Sequence, residues 1–342
     1  MKAVVYRGAR RLDVTEVDAL PPGPGEVRIA VAYTGICGTD LHIFHGDMDA
    51  RVGAAAVLGH EMSGRIAEVG DGVTAFAVGQ PVTVMPTRTC GRCVACRRGH
   101  SHICHAMRFL GIDSPGAMQA SWTVPAELVL PLPDGLPLRH AALIEPVAVA
   151  VHDVRRSGIA GGERVVVVGG GPVGVLIATV ATRRGAEVLL VEPDPFRRAV
   201  AAEAGIDAVD PTTTDVVALV DDRTAGAGAD VAFEVSGAAG GVETAVAVLT
   251  TRGRLVMVAI HPQPRAVNLH RFFWRELELL GARLYERDDM AEAVRLVASG
   301  AVAPERLISR VEPVEAVDAA FTALERGGGV MKVLIDWQEP TR

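Results

Sequence analysis

Four cysteines, Cys90, Cys93, Cys96 and Cys104, fall within fifteen positions, with Gly91 and Gly99 giving the loop room to wrap. Four thiolates complete the tetrahedral shell of a Zn²⁺ ion and leave no open position, so this spacing predicts a structural metal. A CxxC redox pair would use two of these cysteines and leave two idle. His100, His102 and His105 lie in the same loop and, with the shell already full, read as solvated residues. A second donor set is spread over three motifs: Gly35-Ile36-Cys37-Gly38-Thr39-Asp40-Leu41-His42, Gly59-His60-Glu61 and Glu145-Pro146. A thiolate, an imidazole and a carboxylate leave one position for water or an alcohol oxygen, the arrangement of catalytic zinc. Each residue also has an ordinary reading. Cys37 can be a small core residue, Thr39 or Asp40 a helix cap, His60 a satisfied core histidine and Glu145 a charge at a domain joint. Spacing alone does not bring the three segments together.

A third constellation is a nucleotide loop. The run Val165-Val166-Val167-Val168-Gly169-Gly170-Gly171-Pro172-Val173-Gly174 sets G-x-G-x-x-G directly after a buried strand and before an apolar helix. Gly169, Gly171 and Gly174 allow a tight turn and close backbone approach to a pyrophosphate, and Pro172 and Val173 open the helix whose amino terminus favours its charge. The next strand ends in Val191-Glu192, where a carboxylate accepts hydrogen bonds from an adenosine ribose and repels a 2′-phosphate, so NAD is expected over NADP. The alternatives are a solvated strand-end charge at Glu192, and a phosphate held by Arg197 or Arg198. Ser236 and Ala259, at the ends of later strands, are further candidate cofactor contacts.

These residues need a scaffold. A chain of 342 residues exceeds one hydrophobic core, so two domains are expected. Up to about residue 150, short β-like runs (Ala3 to Tyr6, Glu26 to Tyr33, Gly64 to Val69) punctuated by Gly and Pro predict an irregular, mostly β domain, with the cysteine lobe at about 86–106. From 151 to 284, apolar strands alternate with helices, the pattern of a doubly wound α/β fold. Six candidate strands are Val165 to Val168, Glu187 to Val191, Ala208 to Val209, Asp230 to Val235, Arg254 to Ile260 and Glu276 to Gly281. Residues 285–342, with helices over Asp289 to Ser299 and Val314 to Arg326 and a strand over Met331 to Ile335, are expected to return to the first domain. The 34 basic against 41 acidic residues, a formal charge of −7 with no block of like charge, argue against nucleic acid. No signal-like run or unbroken apolar span suggests a membrane, and the odd, clustered cysteines suit a reducing compartment, so a cytoplasmic protein is expected.

GICGTDLH, GHEMSG, CGRCVACRRGHSHIC, ALIEPVAVAVH and VVVVGGGPVG, in this order, make the whole chain similar to the zinc-containing medium-chain alcohol dehydrogenases. The resemblance implies a GroES-like catalytic domain beside a Rossmann domain, one catalytic and one structural zinc, and hydride transfer from a secondary alcohol to NAD to give a ketone. It makes Cys37 and His60 zinc ligands, with Glu61 and Glu145 as alternative ligands or close neighbours, and matches Thr39 and His42 to a proton relay. The chain is most similar to the butanediol, sorbitol and threonine dehydrogenase branch, through Glu145 and Glu276-Leu-Glu-Leu-Leu-Gly281 with Tyr285 and Asp288-Asp289. A vicinal diol, polyol or sugar hydroxyl is therefore the expected substrate; the alternatives are an amino alcohol like threonine or a non-catalytic NAD-binding relative. The resemblance also implies a dimer or tetramer paired through the sixth strand, and Met48 and Pro86 beside the substrate. Gln80, Ser121 and Ala54 to Ala56 depart from the family pattern.

Overall fold

The computed structural model describes residues 1–53, 55–261 and 263–338, so Ala54 lies outside the described residues. The chain divides into two compact units. Unit 1 comprises Met1–Glu145, Glu286–Gly300 and Leu307–Arg342; unit 2 comprises Pro146–Tyr285 and Ala301–Arg306.

Unit 1 is built on a seven-stranded sheet whose neighbours run Val129–Pro131, Pro81–Val84, Glu61–Val69, Glu26–Gly35, Lys332–Asp336, Ile308–Pro313, with Ser121–Pro125 also paired to Glu26–Gly35. The long strand Glu26–Gly35 is central: Gly35 pairs with Glu61 on one side and Leu334 on the other, which sets the end of GHE and the returning C-terminal strand on either side of it. Alternate residues Val27, Ile29 and Val31 are buried, as expected for a strand with one core face. A smaller sheet joins Leu12–Glu16, Lys2–Tyr6 and Ala56–Val57. At the base of the cysteine lobe, Thr87–Arg88 pairs with Arg108–Phe109 and closes the loop between them. The strand Ile308–Pro313 has no counterpart in the sequence reading; its consecutive Arg310 and Val311 are both exposed and Glu312 is half-buried, so it lacks the alternation of a one-faced strand.

Unit 2 contains one parallel sheet: β1 (Arg164–Val168), β2 (Glu187–Val191), β3 (Asp207–Val209), β4 (Ala229–Glu234), β5 (Leu249–Met257) and β6 (Glu278–Gly281), in spatial order β3-β2-β1-β4-β5-β6. This is the doubly wound dinucleotide order, in which the winding reverses between β1 and β4. The valines of β1 are buried on both faces, consistent with helices covering both sides. β5 begins at Leu249 rather than Arg254, because a register shift beside Val231 lets the polar Thr-Thr-Arg-Gly stretch stay in the strand. Asp194 and Asp215 cap the helices after β2 and β3, each accepting two backbone amides. Among the described residues no helix is long and apolar enough to cross a membrane.

Candidate active site

The donor atoms of Cys37, His60 and Glu61 lie within 4.8 Å of one another. Cys37 caps the helix Gly38–His45, while His60 and Glu61 open the strand Glu61–Val69 and the turn before it, both buried. Asp40, fully buried in the first turn, accepts the Cys37 amide at 2.8 Å through one oxygen, which closes the helix end. Its other oxygen faces His60 Nδ1 at 3.8 Å, and both atoms lack a hydrogen-bond partner among the described residues. Asp40 is thus cap and imidazole neighbour at once, in the place a carboxylate takes behind a histidine that binds metal. Burial works against protonating His60, yet the Asp40 carboxylate, followed by Cys37 and Glu145, holds its imidazole well above the ordinary value. Two buried carboxylates, Asp40 and Glu145, acting on a buried imidazole make a surround that fits a cation. Soft sulfur, imidazole and carboxylate are the donor set of zinc.

Glu145, buried in the first turn of Ile144–Ser157, stands outside the three-residue group, but its charge is felt by both His60 and Lys332. Lys332 is the residue the sequence reading missed. Its Nζ donates to both oxygens of Glu61 at 2.8 Å and to the Ile36 carbonyl at 3.0 Å, so all three ammonium donors are used. Burial would lower the Lys332 pKa, but Glu61 and then Cys37 raise it above the ordinary lysine value. A lysine in an otherwise apolar final strand was the available signal. Thr39 and His42 lie three residues apart on one helix, half-buried and exposed. No hydrogen bond joins them; His42 Nδ1 instead meets Asp47 Oδ2 at 2.9 Å. Met48 is half-buried and Pro86 buried in the same unit.

Cys90, Cys93, Cys96 and Cys104 also converge within 4.8 Å. Cys93 Sγ lies 3.5 Å from Cys96 Sγ and 3.9 Å from Cys104 Sγ, too far for a disulfide and close to the roughly 3.8 Å edge of a tetrahedron with Zn–S bonds of about 2.3 Å. The amides of Cys96 and His105 bring the Cys93 thiol down to about 6, whereas burial and the neighbouring sulfurs push Cys96 up to about 12. Four thiolates held this close would repel one another, and a cation among them would offset that charge. The residues fit structural zinc. His102 corrects the solvated reading: it is buried, with Nδ1 3.2 Å from Glu286 Oε1, while His100 and His105 are exposed. Gln80 serves its turn without the usual Asp, accepting the Ala77 amide at 3.1 Å.

In unit 2 the glycine loop follows β1 and precedes the helix Pro172–Arg183. A Cβ on Gly174 would lie 1.9 Å from the Gly169 carbonyl oxygen, and Gly169 itself has φ +112° and abuts Ser236, so both positions require glycine. Gly171 is the N-cap, with Pro172 and Val173 opening the first turn. Glu192, 4% exposed, accepts the Gly170 amide at 2.7 Å and the Asp194 amide at 2.9 Å. The solvated reading of Glu192 therefore does not describe it. Arg197 Nη1 is 3.9 Å from Glu192, and Arg198 is spent on the carbonyls of Glu192 and Pro193 and on Asp210.

Residues 23–134 match the alcohol dehydrogenase GroES-like domain and residues 172–299 the zinc-binding dehydrogenase domain. The chain is 47% identical over 336 residues, 98% of each chain, to a 2-dehydro-3-deoxy-L-galactonate 5-dehydrogenase of Pseudoalteromonas atlantica. It is also similar to the crystal structure of 2R,3R-butanediol dehydrogenase from Bacillus subtilis, with a TM-score of 0.90 and 31% identity over 98% of this chain and 99% of that one. A zinc-binding dehydrogenase from Sinorhizobium meliloti, solved bound to NADP, matches with a TM-score of 0.92 and 31% identity over 98% of both chains. The chain belongs to the zinc-binding, GroES-like alcohol dehydrogenases. It is an NAD-dependent, zinc-dependent oxidoreductase acting on a CH–OH group of a small molecule.

Proposed function

We propose that the protein oxidises a secondary hydroxyl of a polyol or sugar acid, one that carries a neighbouring oxygen, to the ketone. The observation that carries this is the convergence of Cys37, His60 and Glu61 with a further buried carboxylate, Glu145, close enough for its charge to be felt. Cys37 and His60 would hold the catalytic zinc, with Glu61 and Glu145 as alternative carboxylate ligands. When bound, zinc acts as a Lewis acid that lowers the pKa of an alcohol. Asp40 orients the His60 imidazole, and Lys332 restrains Glu61 and offsets its charge. Thr39 would accept the hydroxyl's hydrogen bond, and with the cofactor ribose bridging to it, the exposed His42 on the same helix would release the proton to solvent. Gly169, Gly171, Pro172, Val173, Gly174, Glu192 and Arg197 would hold the NAD cofactor, which would supply the hydride acceptor. The carboxylate-rich metal site favours a substrate that brings a second oxygen, and the sugar-acid and butanediol relatives support this class.

NADH formation measured side by side tests it. A vicinal diol, a polyol or a 3-deoxy sugar acid should exceed ethanol in kcat/KM by at least about tenfold, which needs only about 1.4 kcal/mol of differential transition-state binding. An unbranched primary alcohol as the best substrate would overturn the assignment.

The chain is also proposed to form a dimer, or a tetramer of dimers, through β6. Among the described residues this strand ends the sheet with β5 as its one neighbour, and Leu279, Phe273 and Trp274 nearby in sequence are 52%, 78% and 74% exposed. A monomer at micromolar concentration in light scattering would refute it. The four unbridged lobe cysteines support a reducing compartment such as the cytoplasm.

A further inference from the structure

We propose that Glu234 and His261 form a strut that fixes the two loops flanking the nicotinamide half of the cofactor, which makes His261 a positioning residue for the hydride acceptor. The inference rests on reading unit 2 as an NAD site. Glu234 ends β4 with a fully buried side chain. Its Oε1 accepts the amides of Ser236 and Gly237, both at 3.0 Å, and the Ser236 hydroxyl. Its Oε2 meets His261 Nε2 at 2.7 Å. Its backbone carbonyl accepts the amides of Val258 and Ala259, at 3.0 and 3.1 Å. One residue thereby laces the turn after β4 to the loop after β5.

The tautomer of His261 follows from its partners. Arg265 Nε donates to Nδ1 at 3.3 Å, so Nδ1 accepts and the ring proton lies on Nε2, aimed at the Glu234 carboxylate. Donation therefore converges on Glu234, from Arg265 through His261 onto Oε2 and from Ser236 and Gly237 onto Oε1. The Ser236 end lies beside the nucleotide loop, since a Cβ on Gly169 would come within 2.7 Å of the Ser236 nitrogen.

Position identifies which half of the cofactor is served. In this sheet order ligands lie beyond the carboxyl ends of the strands where the winding reverses, between β1 and β4. The pyrophosphate belongs at the loop after β1, and the adenosine ribose at Glu192 after β2. The opposite mononucleotide half, which carries the nicotinamide, falls on the side of β4 and β5. Those are the strands whose ends the strut joins. A free-standing loop after β5 would be ordered only when cofactor arrives, at an entropic cost that the strut removes in advance.

Titrating the intact protein with NADH, by its fluorescence, and with ADP-ribose, by calorimetry, tests this. His261→Ala should weaken NADH by about tenfold and leave ADP-ribose within about twofold, because only the nicotinamide half loses its prepared loops. His261→Gln, whose amide can still donate to Glu234, should recover most of the loss, and the KM for NAD should rise more than kcat falls. Arg265→Gln keeps the His261–Glu234 contact, and should weaken NADH by about threefold with ADP-ribose unchanged, which leaves the test open if His261→Ala does not fold. NADH and ADP-ribose weakened equally, or neither weakened, would overturn the strut. A parent protein that binds neither ligand would instead overturn the cofactor reading beneath it.

Discussion

Lys332 Nζ stands 2.8 Å from each carboxylate oxygen of Glu61, and neither side chain is more than 4% exposed. A buried pair with every donor satisfied contributes little net stability against an apolar replacement, but removing one partner strands a charge. Lys332→Met should therefore cost about 3–5 kcal/mol in urea denaturation, and adding Glu61→Gln should return a large part of it. A single variant that loses less than about 1 kcal/mol would show that Glu61 is balanced by something else.

Two separate donor sets imply two zinc ions per chain. Cys37→Ser should abolish turnover in a folded protein, whereas Cys93→Ser should chiefly lower stability. Elemental analysis of metal-replete protein decides the point. One zinc per chain would remove the lobe assignment.

Glu192 is held by two backbone amides beside the glycine loop, where its charge would oppose a 2′-phosphate. Wild type should prefer NAD, and Glu192→Ala should narrow the gap in catalytic efficiency between the two cofactors. Equal efficiencies in the wild type would contradict the preference. The NADP-bound relative makes this comparison informative.

The bidentate contact from Arg51 to Asp113, 2.8 Å at both oxygens, ties the short helix Asp49–Val52 to the loop after Arg108–Phe109. Burial alone would raise the Asp113 carboxyl, but Arg51 and the Phe109 amide hold it below the ordinary value. A depressed carboxylate contributes stability above its unfolded pKa and loses it as pH falls through the folded one. Asp113→Asn should thus cost about 1 kcal/mol at neutral pH, with the difference shrinking below about pH 4. Urea titrations of both proteins at the two pH values check this, and a gap that ignores pH would count against it.

Much of this molecule is legible in its amino-acid sequence. The strands of unit 2 announced themselves because buried valine runs alternate with capped helices, and the lobe because four sulfurs in one loop admit few other uses. Lys332 was not legible, because its partner Glu61 is 271 residues away and no local periodicity encodes so distant a contact. Asp40 was seen only as a cap, since sequence cannot show its second oxygen turning towards His60. His102 looked like a loop residue because the carboxylate that buries it, Glu286, enters from the returning segment.

That returning segment sets an order of assembly. The lobe sulfurs of Cys90 and Cys104 are 14 residues apart and can meet as soon as their loop exists. The Glu61 cradle must wait for Lys332, which follows after 271 further residues, roughly 15–50 s of synthesis at typical rates. Closing the longer span costs about 2.6 kcal/mol more chain entropy than closing the shorter one. In the nascent chain, then, the structural ion can be captured early, while the catalytic pocket stays without its lysine until the last strand is laid into the sheet.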